Sequence, residues 1–264
     1  MTTEAGGKPK VLVTGASGLI GGLAIRNLGD KYAFSGLNRS PVAGIPCTQA
    51  DINDPEAIKP AFTGVDMVLH LSAETKDLSN WHKILTTTMA GTVNVFEAAH
   101  AAGVKRIVFG STGGTMCGYE YDDSLPYGRL AAGKYDEVGD SWPLLTHLDP
   151  PRPDAPYAMG KIFGEVLGRW YADKHGMSVI CIRLGAVLDT DRPKLLRHFP
   201  GFLSHADCVQ MIDKCLSAPM SLKFDIFDAI SENKYRWRDT SHAKEVLGWQ
   251  PTGSADLYNP DDYR

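Results

Sequence analysis

An apolar run that leads directly into three spaced glycines is the feature that most limits how this chain can fold. The segment VLVTGASGLIGG places a strand-like run before Gly15, Gly18 and Gly21, and a helical pattern follows them. At such a turn the first glycine permits the tight bend, the second lets the backbone approach a pyrophosphate, and the third lets the helix pack closely on the strand. The segment predicts a dinucleotide-binding turn; the alternative is a glycine-rich turn that binds nothing.

Short β-branched runs alternate with helical stretches from residue 10 to about residue 185, which is the pattern of a parallel sheet covered on both faces. The predicted strands span residues 10–14, 32–37, 46–50, 67–71, 106–111 and 178–184. Asp54 before Pro55 is typical of a helix start, and Gly64 and Gly103 stand where helices should end. We therefore expect an α/β fold of the Rossmann type with a doubly wound sheet.

The remaining segments suggest how the chain is organised around that sheet. Residues 119–156 are rich in Asp, Gly, Pro and Tyr and are too long for a simple connection, so we expect a functional loop or lid. Residues 1–185 should form the dinucleotide-binding domain, and residues 186–264 a small C-terminal substrate-binding lobe that does not fold independently. Two long helices, predicted over residues 81–102 and 157–175, are expected to pair in a homodimer.

Charge and composition exclude several classes of function. The formal net charge is -4 and no segment concentrates Lys and Arg, so no nucleic-acid partner is expected. No apolar run approaches the roughly 20 residues that span a bilayer, and the start MTTEAGGKPK lacks the apolar stretch of a signal peptide. The five cysteines show no Cys-x-x-Cys spacing, so neither disulfides nor a metal site is expected. These observations predict a cytoplasmic protein without a membrane partner.

The residues after the second and third predicted strands bear on which dinucleotide is bound. A carboxylate after the second strand would bond the ribose hydroxyls of NAD, whereas an arginine suits the additional phosphate of NADP. Asn38, Arg39 and Ser40 stand there, which favours NADP over NAD, with the guanidinium on the phosphate. By itself, Arg39 could equally be an ordinary surface arginine. Asp51, followed by Ile52, either accepts a hydrogen bond from the adenine amino group or is a loop carboxylate beside a helix cap.

Tyr157 and Lys161 stand four residues apart, so a helix would present both on one face. A free phenol has a pKa of about 10, and a neighbouring ammonium favours the phenolate and lowers that pKa. Tyr157 could then remove the proton of a substrate hydroxyl, while Lys161 also bonds the nicotinamide ribose. Thr112 or Ser111, at the end of a predicted strand, would hold the substrate oxygen, unless these hydroxyls only cap a turn.

With these residues in view, the chain resembles the extended short-chain dehydrogenase/reductase superfamily, which includes sugar-nucleotide epimerases and dehydratases. The resemblance covers about residues 11–251 and rests on TGASGLIG, Asp51-Ile52, His70-Leu71-Ser72-Ala73, Ser111-Thr112, Tyr157 with Lys161, and Arg183-Leu184-Gly185. It implies that cofactor binding extends to Ser17, Leu19, Ile20, Leu71, Ser72 and Ala73. It also implies that Thr112, Tyr157 and Lys161 form the catalytic triad.

Within that superfamily the chain is most similar to the compact uronate dehydrogenases and related sugar dehydrogenases. The similar segments are ILTTTMAGTVNVFEAA, RPDAPYAMGKIFGE, FLSHADCVQMI and DTSHAKEVLGWQP. The resemblance implies that Thr75, Ser111, Thr112 and Gly113 contact the substrate, and that Arg197 meets a carboxylate or a phosphate. The alternative for Arg197 is a solvated surface arginine.

The chain also departs from the uronate enzymes. Gly113 and Gly114 replace an Asn and a His, Asn38 replaces an acidic residue, and Thr88 and Ala186 replace an Asn and a Ser. The substrate is therefore left open among sugars, sugar phosphates and sugar acids. We expect an NAD(P)-dependent oxidoreductase that oxidises a sugar hydroxyl with a tyrosine base. The alternatives are a nucleotide-sugar epimerase or dehydratase that retains its cofactor, and a non-catalytic regulator that binds NAD(P).

Overall fold

A sheet of seven parallel strands forms the centre of the computed structural model, which describes residues 7–264. The strands are β1 (Lys10–Thr14), β2 (Ala33–Asn38), β3 (Cys47–Gln49), β4 (Met67–His70), β5 (Arg106–Thr112), β6 (Ser178–Leu184) and β7 (Phe224–Ala229). Their order across the sheet is β3-β2-β1-β4-β5-β6-β7, and all neighbours are parallel. The six predicted strands are all present, and their ends differ from the predicted ends by at most one residue.

The prediction was wrong in ending the sheet at residue 184, because β7 pairs with β6 over its whole length. The sequence of β7, FDIFDA, contains Asp225 and Asp228 and so lacks the continuous apolar run that a buried parallel strand usually has. Asp228 is buried, and its charge is compensated by Arg238. The boundary expected at residue 185 thus does not coincide with the edge of the sheet, since part of residues 186–264 completes it.

Helices cover both faces of the sheet. They are α1 (Leu19–Leu28), α2 (Pro55–Ile58), α3 (Trp81–Lys83), α4 (Gly91–Ala101), α5 (Tyr127–Ala131), α6 (Pro156–His175), α7 (His198–Gly201), α8 (His205–Ser217) and α9 (Ser241–Leu247). A π-helical segment, Ile84–Ala90, joins α3 to α4, so the helix predicted over residues 81–102 is continuous but is not α-helical throughout. Short 3-10 turns span Lys59–Phe62, Gly113–Thr115, Cys117–Tyr121, Tyr135–Glu137, Ala255–Leu257 and Pro260–Tyr263.

Alternate residues of each central strand pack against opposite helix layers, as the two-residue period of a strand requires. Val11, Val13 and Ile180 belong to one buried cluster, together with residues of α1, α8 and α9. Leu12 and Val179 belong to a second cluster, together with residues of α2, α4 and α6. Because both faces are covered in this way, the sheet has the doubly wound arrangement that the sequence predicts.

The segment predicted as a loop or lid, residues 119–156, is packed against the rest of the chain. It contains α5, whose Tyr127 and Leu130 are buried in a third cluster with Trp237. Leu145 N–H donates a hydrogen bond to the carbonyl of Trp237 (2.8 Å), which ties the segment to the C-terminal part of the chain. This segment and the C-terminal residues therefore share one small hydrophobic core outside the sheet.

The predicted helix signals have the expected geometry. Asp54 accepts hydrogen bonds from the first backbone N–H groups of α2, and Pro55 is the first residue of that helix. Gly103 and Gly176 follow the ends of α4 and α6 with φ of 75° and 66°, the left-handed conformation that glycine adopts most easily. In the described part of the chain, no helix combines the length and the apolar character that a membrane crossing would require.

Candidate active site

The chain bends sharply from β1 into α1 at the glycine turn. Gly15 has a φ of 70°, which favours glycine. A Cβ on Gly21 would lie 2.7 Å from Gly15 O, so a side chain there would push α1 away from the turn. Gly18 N–H donates to Gly15 O (3.0 Å), and no side chain caps the first turn of α1. The N-terminus of α1 is therefore arranged to bind an anion.

A cavity of about 490 Å³ opens at the carboxyl ends of the strands. Of the residues predicted to bind the cofactor, those that line it are Gly15, Ser17, Gly18, Leu19, Ile20, Gly21, Asn38, Arg39, Asp51, Ile52, Leu71, Ser72, Ala73, Tyr157 and Lys161. Ser40 does not line it, and of the residues predicted to bind substrate only Thr75 and Ser111 do. The lining residues that the sequence analysis missed are Leu37, Ala50, Thr87, Gly110, Leu184 and Val187.

One of these missed residues, Thr87, belongs to the π-helical segment Ile84–Ala90. Such segments insert an extra residue into a helix and often occur at functional sites, but nothing in the local sequence announced this one. Gly160 of α6 packs on the segment, since a Cβ there would lie 2.9 Å from Thr88 Cγ2 and 3.0 Å from Ile84 Cγ2. The close approach brings the start of α6 to the cavity.

The end of β2 has no carboxylate. Asn38 instead links two serines, because Ser17 Oγ donates to Asn38 Oδ1 (3.1 Å) and Asn38 Nδ2 donates to the carbonyl of Ser40 (2.8 Å). Arg39 is exposed at the cavity edge and forms none of the ion pairs found within residues 7–264. Asp51 accepts a hydrogen bond from Asn53 N (2.9 Å). The guanidinium is therefore available at the place where an additional phosphate would stand.

Tyr157 and Lys161 lie in the first turns of α6. Lys161 is buried, and its Nζ donates to the carbonyl of Gly110 near the end of β5 (2.7 Å). A Cβ on Gly164 would lie 2.2 Å from the ring of Phe109, so only glycine lets α6 cross β5 this closely. Lys161 Nζ lies 5.7 Å from the centre of the Tyr157 ring. The helix therefore presents both predicted residues on one wall of the cavity.

Burial governs the ionisation of these two groups. It raises the pKa of Tyr157 to about 12 and lowers the pKa of Lys161 to about 7, because the charged form of each loses contact with water. The expected lowering of the tyrosine pKa by the lysine is therefore wrong for this structure. Burial alone causes the shift, and the amine of Lys161 is itself only partly protonated near neutral pH. Tyr157 keeps its proton at pH 7.

The two hydroxyls at the end of β5 face different partners. Ser111 Oγ donates to Glu165 Oε1 (2.6 Å), and Glu165 binds Arg183 through both carboxylate oxygens (3.0 and 2.9 Å). Thr112 Oγ1 accepts a hydrogen bond from Gly114 N (3.2 Å). Since a hydroxyl has one donor and two acceptor positions, Thr112 can still donate its proton to a ligand, whereas the Ser111 proton is committed to a buried carboxylate.

Thr112, Gly113 and Arg197, all predicted to contact substrate, do not line the cavity, and neither do Glu120 and Asp154. A Cβ on Gly113 would lie 2.4 Å from Arg238 Nη1, so that guanidinium covers the glycine. Arg197 forms two ion pairs, from Nε to Glu120 Oε2 and from Nη2 to Asp154 Oδ2, both 2.7 Å. Nothing in the sequence pointed to Glu120 or Asp154, because their partner Arg197 is 77 and 43 residues away along the chain, nor to Arg238 as the neighbour of Gly113.

Among residues 7–264, one group of side chains has the composition of a metal site, and it lies outside the cavity. His242 Nε2 lies 2.9 Å from Asp225 Oδ1, and the ring of His147 stacks on that of His242 with centroids 3.8 Å apart and planes 14° apart. The in-plane lone pairs of stacked imidazoles point along nearly parallel planes, so they do not converge on a common ion. The expectation that the protein uses no metal stays a prediction.

Residues 11–246 match the NAD dependent epimerase/dehydratase family. Several similar proteins that align with almost the whole chain are named as sugar dehydrogenases. L-arabinose 1-dehydrogenase (NAD(P)(+)) of Haloferax volcanii is 31% identical, over 92% of this chain and 96% of its own. NAD-dependent glucose-6-phosphate dehydrogenase of the same organism is 30% identical, over 91% and 92%. Uronate dehydrogenase of Agrobacterium fabrum is 31% identical, over 94% and 86%.

A solved structure supports the same relationship. A mutant uronate dehydrogenase from Agrobacterium tumefaciens, complexed with NAD, superimposes with a TM-score of 0.80 and 28% sequence identity. The match covers 98% of this chain and 91% of that one. The Rossmann type of fold expected from the glycine turn is confirmed.

Proposed function

The chain belongs to the NAD dependent epimerase/dehydratase family, and on that premise we propose that it is an NAD(P)-dependent oxidoreductase that oxidises a sugar hydroxyl, with Tyr157 as the base. One observation carries the proposal: Tyr157 and Lys161 line the same cavity as the glycine turn. That arrangement would bring a proton acceptor and a dinucleotide to one site. The names of the arabinose, glucose-6-phosphate and uronate dehydrogenases support a sugar as substrate.

The residues present fit a dinucleotide. Gly15, Gly18 and Gly21 line the cavity without side chains, and no side chain caps the first turn of α1, so backbone is open where a pyrophosphate would approach. Arg39 lines one end of the cavity and Lys161 the other. When bound, the nicotinamide supplies the hydride acceptor. The residues proposed to hold the dinucleotide are the predicted cofactor-binding residues that line the cavity, with Ser40 added only for the phosphate of NADP.

The protein's own groups would handle the proton. Thr112, next to the lining residue Ser111, would hold the reacting oxygen with its free O–H, and Tyr157 would accept the proton of the substrate hydroxyl. Burial raises the pKa of Tyr157 to about 12, so the phenolate is scarce at neutral pH and is a strong base when it forms. The pKa of Lys161, lowered by burial to about 7, lets this amine gain or lose a proton near neutral pH beside Tyr157.

The end of β2 supports NADP as the preferred cofactor. Arg39 is exposed at the cavity edge, and Asn38 has no charge that would repel a phosphate. Asn38 holds Ser40 through two hydrogen bonds, to its carbonyl (2.8 Å) and to its Oγ (3.1 Å). The Ser40 O–H could therefore join the Arg39 guanidinium on the ribose phosphate of NADP.

Net formation of reduced nicotinamide tests the proposal. The purified protein is incubated with NADP or NAD and a panel of free sugars, sugar phosphates and sugar acids. We expect reduced cofactor to accumulate in proportion to the sugar oxidised. An epimerase or dehydratase would return its cofactor to the oxidised form and show no net absorbance. A regulator would bind the cofactor and convert none of the sugars.

We also propose a homodimer formed through the two long helices. Apolar side chains on their outer surfaces are partly exposed, although most large apolar residues are buried; these are Trp81, Leu85, Met159, Val166 and Trp170. Burying such a surface against its copy would remove it from water. Light scattering should give twice the mass of one chain. A wild-type mass equal to that of one chain would contradict the proposal. Val166→Glu should reduce that mass toward one chain.

A further inference from the structure

Three charged side chains form a cluster beside the predicted catalytic threonine. In this Arg197 cluster, the guanidinium pairs with Glu120 through Nε and with Asp154 through Nη2, both at 2.7 Å. A carbon placed on Gly114 would lie 3.0 Å from Asp154 Oδ1 and 3.5 Å from Thr112 Oγ1. The carboxylate and the hydroxyl therefore lie on the same side of Gly114, and a side chain at residue 114 would crowd Asp154 Oδ1.

The position of Asp154 is fixed by the backbone. Asp154 N–H donates to the carbonyl of Gly114 (3.2 Å), and Gly118 N–H donates to the carbonyl of Arg152 (2.6 Å). A Cβ on Gly118 would lie 2.5 Å from Arg152 O, so only glycine allows the two segments to run this close. Asp154 also stands three residues before Tyr157, at the entrance to α6. The carboxylate is thus held near the proposed base.

The Arg197 cluster is not positively charged in any of its protonation states near neutral pH. One guanidinium faces two carboxylates, so its net charge is negative when both are ionised. Burial raises the pKa of Glu120, and Arg197 opposes the rise. If Glu120 takes up a proton, the cluster becomes neutral. In neither state does it attract a carboxylate or a phosphate from solution.

Two neighbouring guanidiniums are also paired with carboxylates of the protein. Arg183 pairs with Glu165 at 2.9 Å, and Arg238 pairs with Asp228 at 2.9 Å; all four side chains are at most 4% exposed. An anionic substrate that bound any of these three guanidiniums through its paired nitrogens would have to displace an internal carboxylate. By contrast, Asp154 Oδ1 accepts none of the hydrogen bonds found within residues 7–264, and sugar hydroxyls are donors that suit it.

We infer that the enzyme takes an uncharged sugar, and that Asp154 recognises it by accepting a hydrogen bond from a hydroxyl next to the reacting carbon. The inference rests on the proposed function and narrows it, because the similar proteins are named for a neutral sugar, a sugar phosphate and sugar acids. Arg197 is then a residue that positions Asp154 and Glu120, and it is not a receptor for a substrate carboxylate. This reverses the role that the resemblance implied for Arg197.

Matched sugars test the inference in wild type. Initial rates of NADP and NAD reduction are measured with glucose, glucuronate and glucose 6-phosphate, with galactose and galacturonate, and with arabinose. Within the glucose and galactose sets the ring stereochemistry is constant and the C6 group changes from a hydroxymethyl to a carboxylate or a phosphate ester; arabinose is a neutral sugar without C6. We expect kcat/KM for the neutral member to exceed that for its anionic partners by at least about tenfold, which corresponds to about 1.4 kcal/mol.

Two variants of the cluster separate its charge from its hydrogen bond. Asp154→Asn removes both the negative charge and the strong acceptor, so kcat/KM for the neutral sugar should fall about tenfold while the anionic partner gains relative to it. Glu120→Gln removes a charge but leaves Asp154 in place. It should raise the ratio of anionic to neutral kcat/KM by about threefold to tenfold with little loss on the neutral sugar. If Asp154→Asn fails to fold, Glu120→Gln still decides the matter.

Asp122→Asn is the matched control, because Asp122 pairs with Arg152 in the same segment at 3.2 Å and does not belong to the cluster. Its ratio of anionic to neutral kcat/KM should equal that of wild type. A wild-type preference for glucuronate, galacturonate or glucose 6-phosphate would overturn the inference and leave the oxidoreductase proposal standing. Unchanged ratios in both cluster variants would overturn it too. Cofactor binding without reduction by any sugar would instead overturn the proposed function.

Discussion

The two halves of the cavity are built in different ways. The cofactor half comprises the ends of β1, β2 and β4 with the glycine turn, and it offers backbone and lightly bonded side chains such as Asn38 and Arg39. The substrate half comprises the end of β5, and the Arg197 cluster adjoins it without lining the cavity; the charged groups of that cluster bind one another. The first half is set by a local motif and the second by long-range ion pairs. Such a protein can change its sugar without changing its cofactor site.

Removing the phenol where the two halves meet should have the largest effect. Tyr157→Phe should lower kcat roughly 10²- to 10⁴-fold, the usual contribution of general acid–base catalysis. Dissociation constants for NADP and NAD, measured by fluorescence titration, should change by less than about twofold. Tyr32→Phe is the control. Tyr32 lies just before β2 and away from the cavity, and its O–H donates a hydrogen bond to Asp213 of α8. A Tyr157→Phe protein that keeps full turnover would show that another group is the base.

Glu165→Gln should destabilise the buried ion pair that underlies the substrate half. Glu165 and Arg183 are at most 4% exposed, and removing one partner of a buried ion pair leaves the other charge uncompensated. We expect a loss of about 3–5 kcal/mol in the free energy of unfolding, measured with urea. Asp173→Asn in the same helix breaks an exposed pair with Arg169 and should cost less than about 0.5 kcal/mol. Equal losses in the two variants would contradict this account of the buried pair.

Arg39→Ala tests the cofactor half alone. A charged hydrogen bond to a phosphate contributes about 1.5–3 kcal/mol, so the dissociation constant for NADP should rise about tenfold to hundredfold. That for NAD should change by less than about twofold, and so should the preference among sugars. Arg26→Ala, on the exposed side of α1, is the matched control. An equal rise in the dissociation constants for NADP and NAD would show that Arg39 does not bind the additional phosphate.

A change of one pH unit should have the smallest effect of these four tests on the rate of the reaction. Oxidation requires the deprotonated phenol, and burial raises the pKa of Tyr157 to about 12. Below that pKa the phenolate fraction grows about tenfold per pH unit, so kcat/KM for oxidation should rise between pH 7 and pH 9. The rise should be less than tenfold per unit, because Lys161, with a pKa lowered to about 7, loses its positive charge over the same range. A rate that falls across this range would contradict Tyr157 as the base.

Local signals predicted most of the fold and the cofactor half. The bend at Gly15 and the helix after it follow from residues that are neighbours in sequence, and the four-residue spacing of Tyr157 and Lys161 is a property of one helix. β7 was missed because Asp228 looks unsuited to a buried strand until Arg238 is placed beside it. The π-helical segment Ile84–Ala90 was missed because its hydrogen-bond pattern has no sequence signature.

The substrate half shows why a resemblance cannot replace the structure. Arg197 stands 77 residues from Glu120 and 43 from Asp154 along the chain, so no spacing pattern predicts that the three meet. The resemblance implied that Arg197 faces a ligand carboxylate. In the folded chain two carboxylates of the protein already bind its Nε and Nη2.

The sequence by itself determined the order of strands and helices as far as β6, the glycine turn and the pairing of Tyr157 with Lys161, because each depends on residues within a few turns or strands of one another. Only the tertiary structure decided which charges are paired and how burial shifts the pKa of Tyr157 and Lys161. These properties depend on what surrounds a group in space, and distant segments provide those surroundings.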